Sequence, residues 1–161
     1  MSRKVKMVLY IWKKLKEELD ELVSLYEREG KSLKKTEVVS EALSKEVIKR
    51  KLEFLSQNLS VLRDVDLDCL ASKLYKVRLK TSCLSEEQMA AFTGRISPLV
   101  HSTRIKDEEI KEIKRIAELL RLPYAKEKWD SDSVVFLVLK AIEDCKKVRK
   151  ETEEILAKYL W

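Results

Sequence analysis

The residues able to do chemistry are few. His101 is the only histidine in the 161-residue chain, so neither a histidine-centred triad nor a His-rich metal site can be assembled. Gly30 and Gly94 are the only glycines, too few for a phosphate-cradling loop. Asp64, Asp66 and Asp68 alternate like the opening of a calcium loop. The central glycine is missing, however, and Tyr75 occupies the twelfth position in place of a bidentate glutamate. We read these carboxylates as a solvated helix face or turn. Cys69, Cys83 and Cys145 are odd in number, far apart and in no C-x-x-C pair. They are expected to be reduced thiols filling a core, which points to a cytoplasmic compartment. No catalytic residue, metal site or cofactor is expected, and the chain is read as a non-enzyme.

Charge is more informative. The net charge is +6, and residues 1–80 carry all of it, with 19 basic against 13 acidic side chains; residues 81–161 hold 15 of each. Arg3, Lys4, Lys6, Lys13, Lys14 and Lys16 precede the first acid, Glu17. An anionic partner would meet this end first. With 24 Lys, 20 Glu, 1 Asn and 2 Gln, the composition is that of a hyperthermophile protein. At 45% apolar the chain can still bury a core. The longest apolar run, residues 134–139, has six members, so no membrane span is expected, and residues 7–12 are too short for a signal-peptide core.

The elements that must position these charges follow from periodicity. With 2 Gly and 2 Pro, long helices are the default. Residues 4–11 alternate, with Val5, Met7, Leu9 and Ile11 on one face and Lys4, Lys6, Val8 and Tyr10 on the other, which predicts a strand. A helix follows over 13–29, with Leu15, Leu19, Leu22, Val23 and Tyr26 at helical spacing, and Gly30 sits where a left-handed cap would end it. A second helix is expected from Thr36 to Leu55, and a break at 57–60. A third helix is read over 62–75. The alternation over 76–81 allows a short strand, and a capping box at Ser85 and Gln88 predicts a short helix to Phe92. Gly94 and Pro98 then punctuate the chain. Residues 99–105 are a candidate strand, 107–121 a helix, and a last helix runs from Ser131. Adding 94 to Ile11, Leu19, Leu22, Val23 and Tyr26 gives Ile105, Ile113, Ile116, Ala117 and Leu120, an apolar match at all five positions and a sign of an internal repeat.

In this order of elements the chain resembles the ribbon-helix-helix family of DNA-binding transcription regulators. The strand at 6–11, the stretch Glu18-Leu19-Asp20-Glu21-Leu22, Gly30, and the run from Thr36 to Leu43 carry the likeness. It covers residues 4–48 well and 99–145 more weakly, and is similar to the tandem type encoded by filamentous viruses of hyperthermophilic archaea. The resemblance implies a mainly α fold with a short β-ribbon, in two tandem ribbon-helix-helix motifs. These would occupy residues 1–56 and 99–161, the second extended by a C-terminal helix, with a helical linker at 57–98. It further implies a sequence-specific regulator whose two-stranded ribbon enters the major groove of double-stranded DNA. The ribbon face would present Lys4, Lys6, Val8 and Tyr10, and in the second copy Ser102 and Arg104. Lys34, Lys35 and Thr36 would anchor phosphate at a helix start, with Ser131 or Ser133 in the equivalent place of the second copy. A homodimer or higher oligomer on DNA is expected, with the ribbons paired within or between chains. The second ribbon strand is taken as 99–105, with 76–81 as the alternative. Two other classes suit the same features: a DNA-coating structural nucleoprotein, and an antitoxin-like protein docking a partner on its tail at 149–161.

Overall fold

The computed structural model describes residues 6–122, 131–146 and 150–161. Seven helices account for most of them: α1 (Lys13–Arg28), α2 (Lys35–Ser56), α3 (Leu67–Ser82), α4 (Glu86–Ser102), α5 (Asp107–Leu119), α6 (Ser131–Asp144) and α7 (Lys150–Tyr159). A single 3₁₀ turn, Ser60–Leu62, links α2 to α3. No strand forms among the described residues, so the ribbon-helix-helix architecture is overturned in favour of an all-α fold. The chain divides into two compact units, Met1–Leu43 and Ser44–Trp161.

In the N-terminal unit residues 6–12 have no regular structure. Their alternating pattern is real, but a lone strand has no neighbour to take its backbone hydrogen bonds, and neither of its faces is buried. The helix–glycine–helix portion forms as expected. Gly30 adopts φ +73°, its amide donates to the Glu27 carbonyl (3.0 Å), and the Lys31 amide donates to that of Tyr26 (2.9 Å). These two bonds are the paired closure of a Schellman cap, which requires the left-handed conformation that glycine adopts at least cost.

The C-terminal unit holds the core. α6 is apolar on nearly every side, with Val134, Val135, Val138, Ala141 and Ile142 buried, as a helix surrounded by others must be. It packs against α3, α4 and α5. Ile48, Leu52 and Leu55 of α2, Leu70 and Leu74 of α3, and Ile113, Ile116 and Leu120 at the end of α5 complete the cluster. Glu112 on α5 reaches back to the 3₁₀ turn. Its carboxylate accepts from the backbone amides of Ser60 (3.1 Å) and Val61 (3.0 Å), as a long-range cap for donors with no partner inside the turn.

Neither candidate second strand forms: residues 99–102 belong to α4 and 103–105 are irregular, while 76–81 are helical. The capping box at Ser85 and Gln88 is complete, with each side chain bonded to the other's backbone amide, but the helix it starts runs on through Gly94 and Pro98 to Ser102. Proline inside a helix removes one amide donor and costs about 3 kcal/mol. Here it stands four residues after Gly94 without ending α4. Residues 76–81 lie within α3, where Thr81 Oγ1 donates to the Val77 carbonyl across one helical turn (2.6 Å). A short alternating run of lysine and aliphatic residues satisfies either period, and the adjoining buried Leu70, Ala71 and Leu74 decide for the helix.

The thiol expectation also fails. Cys69, in the first turn of α3, is disulfide-bonded to Cys145 just past α6, across a sequence separation of 76. Beside it the Asp66 amide donates to the Cys145 carbonyl (2.8 Å), and Val65 pairs with Lys146 in one antiparallel bridge. Cys83 is free and exposed. The three aspartates part company here. Asp66 caps α3 by accepting from the amides of Asp68 and Cys69, Asp68 pairs with Lys49 (3.1 Å), and Asp64 turns the chain at φ 58°.

The end of α5 repeats the Schellman pattern without a glycine. The Arg121 amide donates to the Glu118 carbonyl and the Leu122 amide to that of Ala117 (2.9 Å), with Arg121 at φ 55°. A side chain at such a φ carries roughly 1 kcal/mol of strain. Arg121→Gly is therefore expected to raise stability by about 0.5–1 kcal/mol, less the loss of any interaction its side chain makes, measured as a shift in urea midpoint at constant m-value.

Candidate nucleic-acid interface

The basic N-terminal stretch can be built up residue by residue. Trp12 holds the N-cap position of α1 in extended conformation (φ −61°, ψ 142°), and its carbonyl accepts from the Lys16 amide (3.1 Å). It offers no side-chain cap, and the first turn contains no acid. Lys13, Lys14 and Lys16 therefore stand at the helix end that already bears partial positive charge, where acids are the favourable residues. None of Lys6, Lys13, Lys14 and Lys16 forms an ion pair among the described residues, and all four are exposed. Tyr10 and Trp12 project into solvent at 95% and 86% exposure.

Of the expected ribbon contacts, Lys4 lies outside the described residues. Lys6, Val8 and Tyr10 are exposed as anticipated, but on irregular chain rather than on a strand that could enter a groove edge-on. Lys13, Lys14 and Lys16 were not among the expected contacts, although the absence of any acid before Glu17 marks them in the sequence.

At the start of α2, the Lys34 carbonyl accepts from the amides of Glu37 (3.1 Å) and Val38 (3.2 Å), so Lys34 occupies the cap position with its ammonium exposed and unpaired among the described residues. Thr36 is exposed in the first turn. Lys35 is engaged elsewhere: its ammonium bonds the Asp20 carboxylate of α1 and holds that carboxyl below its ordinary range. Because Asp20 is depressed in the folded state, the pairing contributes above the ordinary carboxylate range and is lost as pH falls through the lowered value. Lys35 thus fastens α1 to the start of α2, which removes it from the residues expected to hold phosphate.

The second set of contacts does not assemble into a ribbon face. Ser102 is the last residue of α4, and its hydroxyl donates to the Leu99 carbonyl (2.9 Å), while Arg104 is exposed on the link before α5. Ser133 is fully buried and its hydroxyl has no hydrogen-bond partner among the described residues, which excludes it from any phosphate contact.

Two further surfaces are notable for apolar exposure. On α7 and its end, Ile155, Tyr159, Leu160 and Trp161 are exposed. A shallow groove in the C-terminal unit, about 370 Å³, is lined by Val47, Phe54 and Leu119 with Glu46, Arg50 and Lys51 at its edge. Among the described residues no cluster of three or more His, Cys, Asp or Glu side chains gathers around a common point, and no helix is long and apolar enough to cross a membrane. Comparison with protein-family models, with curated proteins and with solved structures finds no match to this chain.

Proposed function

We propose that this protein binds double-stranded DNA, laying residues 6–16 against the phosphate backbone with Lys34 as a further contact, and that it regulates transcription by doing so. One observation carries the reading: the first turn of α1 holds three exposed lysines and no acid. Three lysines within four positions of a helix N-terminus oppose the helix dipole by a few tenths of a kcal/mol each. A protein whose helix began there for stability alone would carry aspartate or glutamate. A phosphate against the same turn reverses the sign of the interaction and also meets unbonded backbone amides.

Contacts of this kind fix position on the duplex without reading bases. That favours a second reading, a sequence-independent nucleoprotein that coats DNA, because the candidate surface consists of lysines and no strand is present among the described residues to carry side chains to base edges. Gel-shift titration of the full chain with the duplex upstream of its own gene and with random duplexes separates the two. A regulator is expected to bind its operator at least ~10³-fold more tightly than random sequence. Equal affinities would leave the coating reading, and no binding at low salt would end both.

A further inference from the structure

Between Met7 and Leu43 the sequence carries 17 apolar side chains, yet none of them is buried. A unit of about 40 residues is at the limit of what one hydrophobic core can stabilise, and here no described residue contributes to one. The internal repeat shows what is missing. In α5 the residues matched at the offset of 94, Ile113, Ile116, Ala117 and the following Leu120, are 0% exposed. In α1 their counterparts Leu19, Leu22 and Val23 are only half-buried, and Tyr26 is 40% exposed. The packing that fixes α5 is absent from α1.

Local interactions do not replace it. α1 has 16 residues, close to the length at which a helix without tertiary contacts is marginal in water. Its Lys, Glu and Leu side chains favour the helix, but its N-cap makes no side-chain hydrogen bond. Lys13, Lys14 and Lys16 stand against the positive end of the dipole. The Lys35–Asp20 ion pair that fastens α1 to α2 is half-exposed, and pairs so placed contribute little. Beyond the Gly30 turn, α2 is different: Ile48, Leu52 and Leu55 anchor its second half in the core.

We propose that α1 folds on binding: in the free protein it opens and closes independently of the C-terminal unit, and duplex DNA holds it closed. The inference rests on the DNA-binding reading above and adds to it a coupling between helix formation and affinity. A phosphate at the start of α1 reverses the unfavourable charge–dipole interaction and accepts from first-turn amides that have no partner inside the helix. Both effects belong to the helical form, because an open α1 keeps its lysines but presents no aligned amides. A ligand that prefers one of two states draws the population toward it. Apparent affinity for DNA is therefore lowered in proportion to the fraction of free chains in which α1 is formed.

Amide hydrogen exchange of the full chain, free and saturated with mixed-sequence duplex at low salt, tests the coupling. In the free protein the α1 amides should exchange at most about tenfold slower than in an unfolded chain, while those near Leu52, Leu74, Ile113 and Val138 are protected on the order of 10³-fold or more. Saturation with duplex should slow the α1 amides by at least about tenfold more. A second measurement varies the helix without touching the lysines. Ser24 is exposed in the middle of α1, where its hydroxyl donates to the Asp20 carbonyl (3.0 Å). Ser24→Ala should bind duplex roughly three- to fivefold more tightly than Ser24→Gly, with the same salt slope, because alanine raises the helical fraction and glycine lowers it. Free α1 amides protected as well as the core, or equal affinities for the two variants, would overturn the coupling and leave the DNA-binding reading in place. So would α1 amides that stay unprotected in a saturated complex. No binding at low salt would end that reading, and the coupling with it.

Discussion

A Cys69→Ala/Cys145→Ala variant is expected to lose about 4 kcal/mol of folding stability. The disulfide closes a loop across a sequence separation of 76. Chain-entropy arguments assign a loop of that length roughly 4–4.5 kcal/mol, through restriction of the unfolded ensemble. The native geometry supports the full value, because the same junction is held by the Asp66–Cys145 backbone hydrogen bond and the Val65–Lys146 bridge, so the cross-link joins segments that are already adjacent. For a unit of this size the loss corresponds to a fall in melting temperature of about 15 °C. Thermal unfolding of wild type in the presence of a thiol reductant should approach the variant's transition, whereas Cys83→Ala, at an exposed free thiol, should leave it unchanged. A loss below about 1 kcal/mol would mean that the bond contributes little to holding the core together.

The second large effect concerns DNA. Neutralising roughly six phosphates would make affinity fall on the order of 10³-fold between about 50 and 200 mM salt. Replacing Lys13, Lys14 and Lys16 together with alanine should reduce the magnitude of the log–log salt slope by about 3 and weaken binding on the order of 100-fold near 0.1 M salt. The same substitution removes like charges from the positive end of α1 and adds strong helix formers, so α1 should become no less helical. Loss of binding with circular dichroism unchanged is therefore the expected pair of results. Unchanged affinity and slope would exclude the start of α1 as the contact surface. Lys35→Ala should matter less for DNA, because its ammonium is already bonded to Asp20.

The parts of this molecule legible from sequence are those fixed by neighbours a few residues away. Gly30 marked a left-handed cap, and both Schellman bonds are present there. Ser85 and Gln88 marked a helix start, and the reciprocal bonds are in place. The 94-residue offset aligned two helices whose first residues obey it. What failed depended on distant partners. A strand at 6–11 needed a second strand that none of the described residues provides. The pairing of Cys69 with Cys145 depends on how α3 and α6 pack, which no local pattern encodes. Pro98 misled for a different reason: its local cost is real, but the flanking turns of α4 and their packing against α6 outweigh it. At the candidate interface the charge was visible from the start, whereas the diversion of Lys35 to Asp20 required α1 and α2 to be placed.

The boundary between the two units falls within α2, which runs without interruption from Lys35 to Ser56. Helix formation is limited by its first turn, after which each added residue fixes one more hydrogen bond at little cost. Ile48, Leu52 and Leu55 anchor the C-terminal half of α2 in the core, so that half supplies the nucleus. The turns at 35–43 then grow backwards from a helix already formed, although no described residue of their unit is buried. Order in this part of the chain is borrowed from the core by propagation. It should fray progressively toward Lys35 rather than melt as a unit, and α1, separated from it by the Gly30 turn, must nucleate on its own.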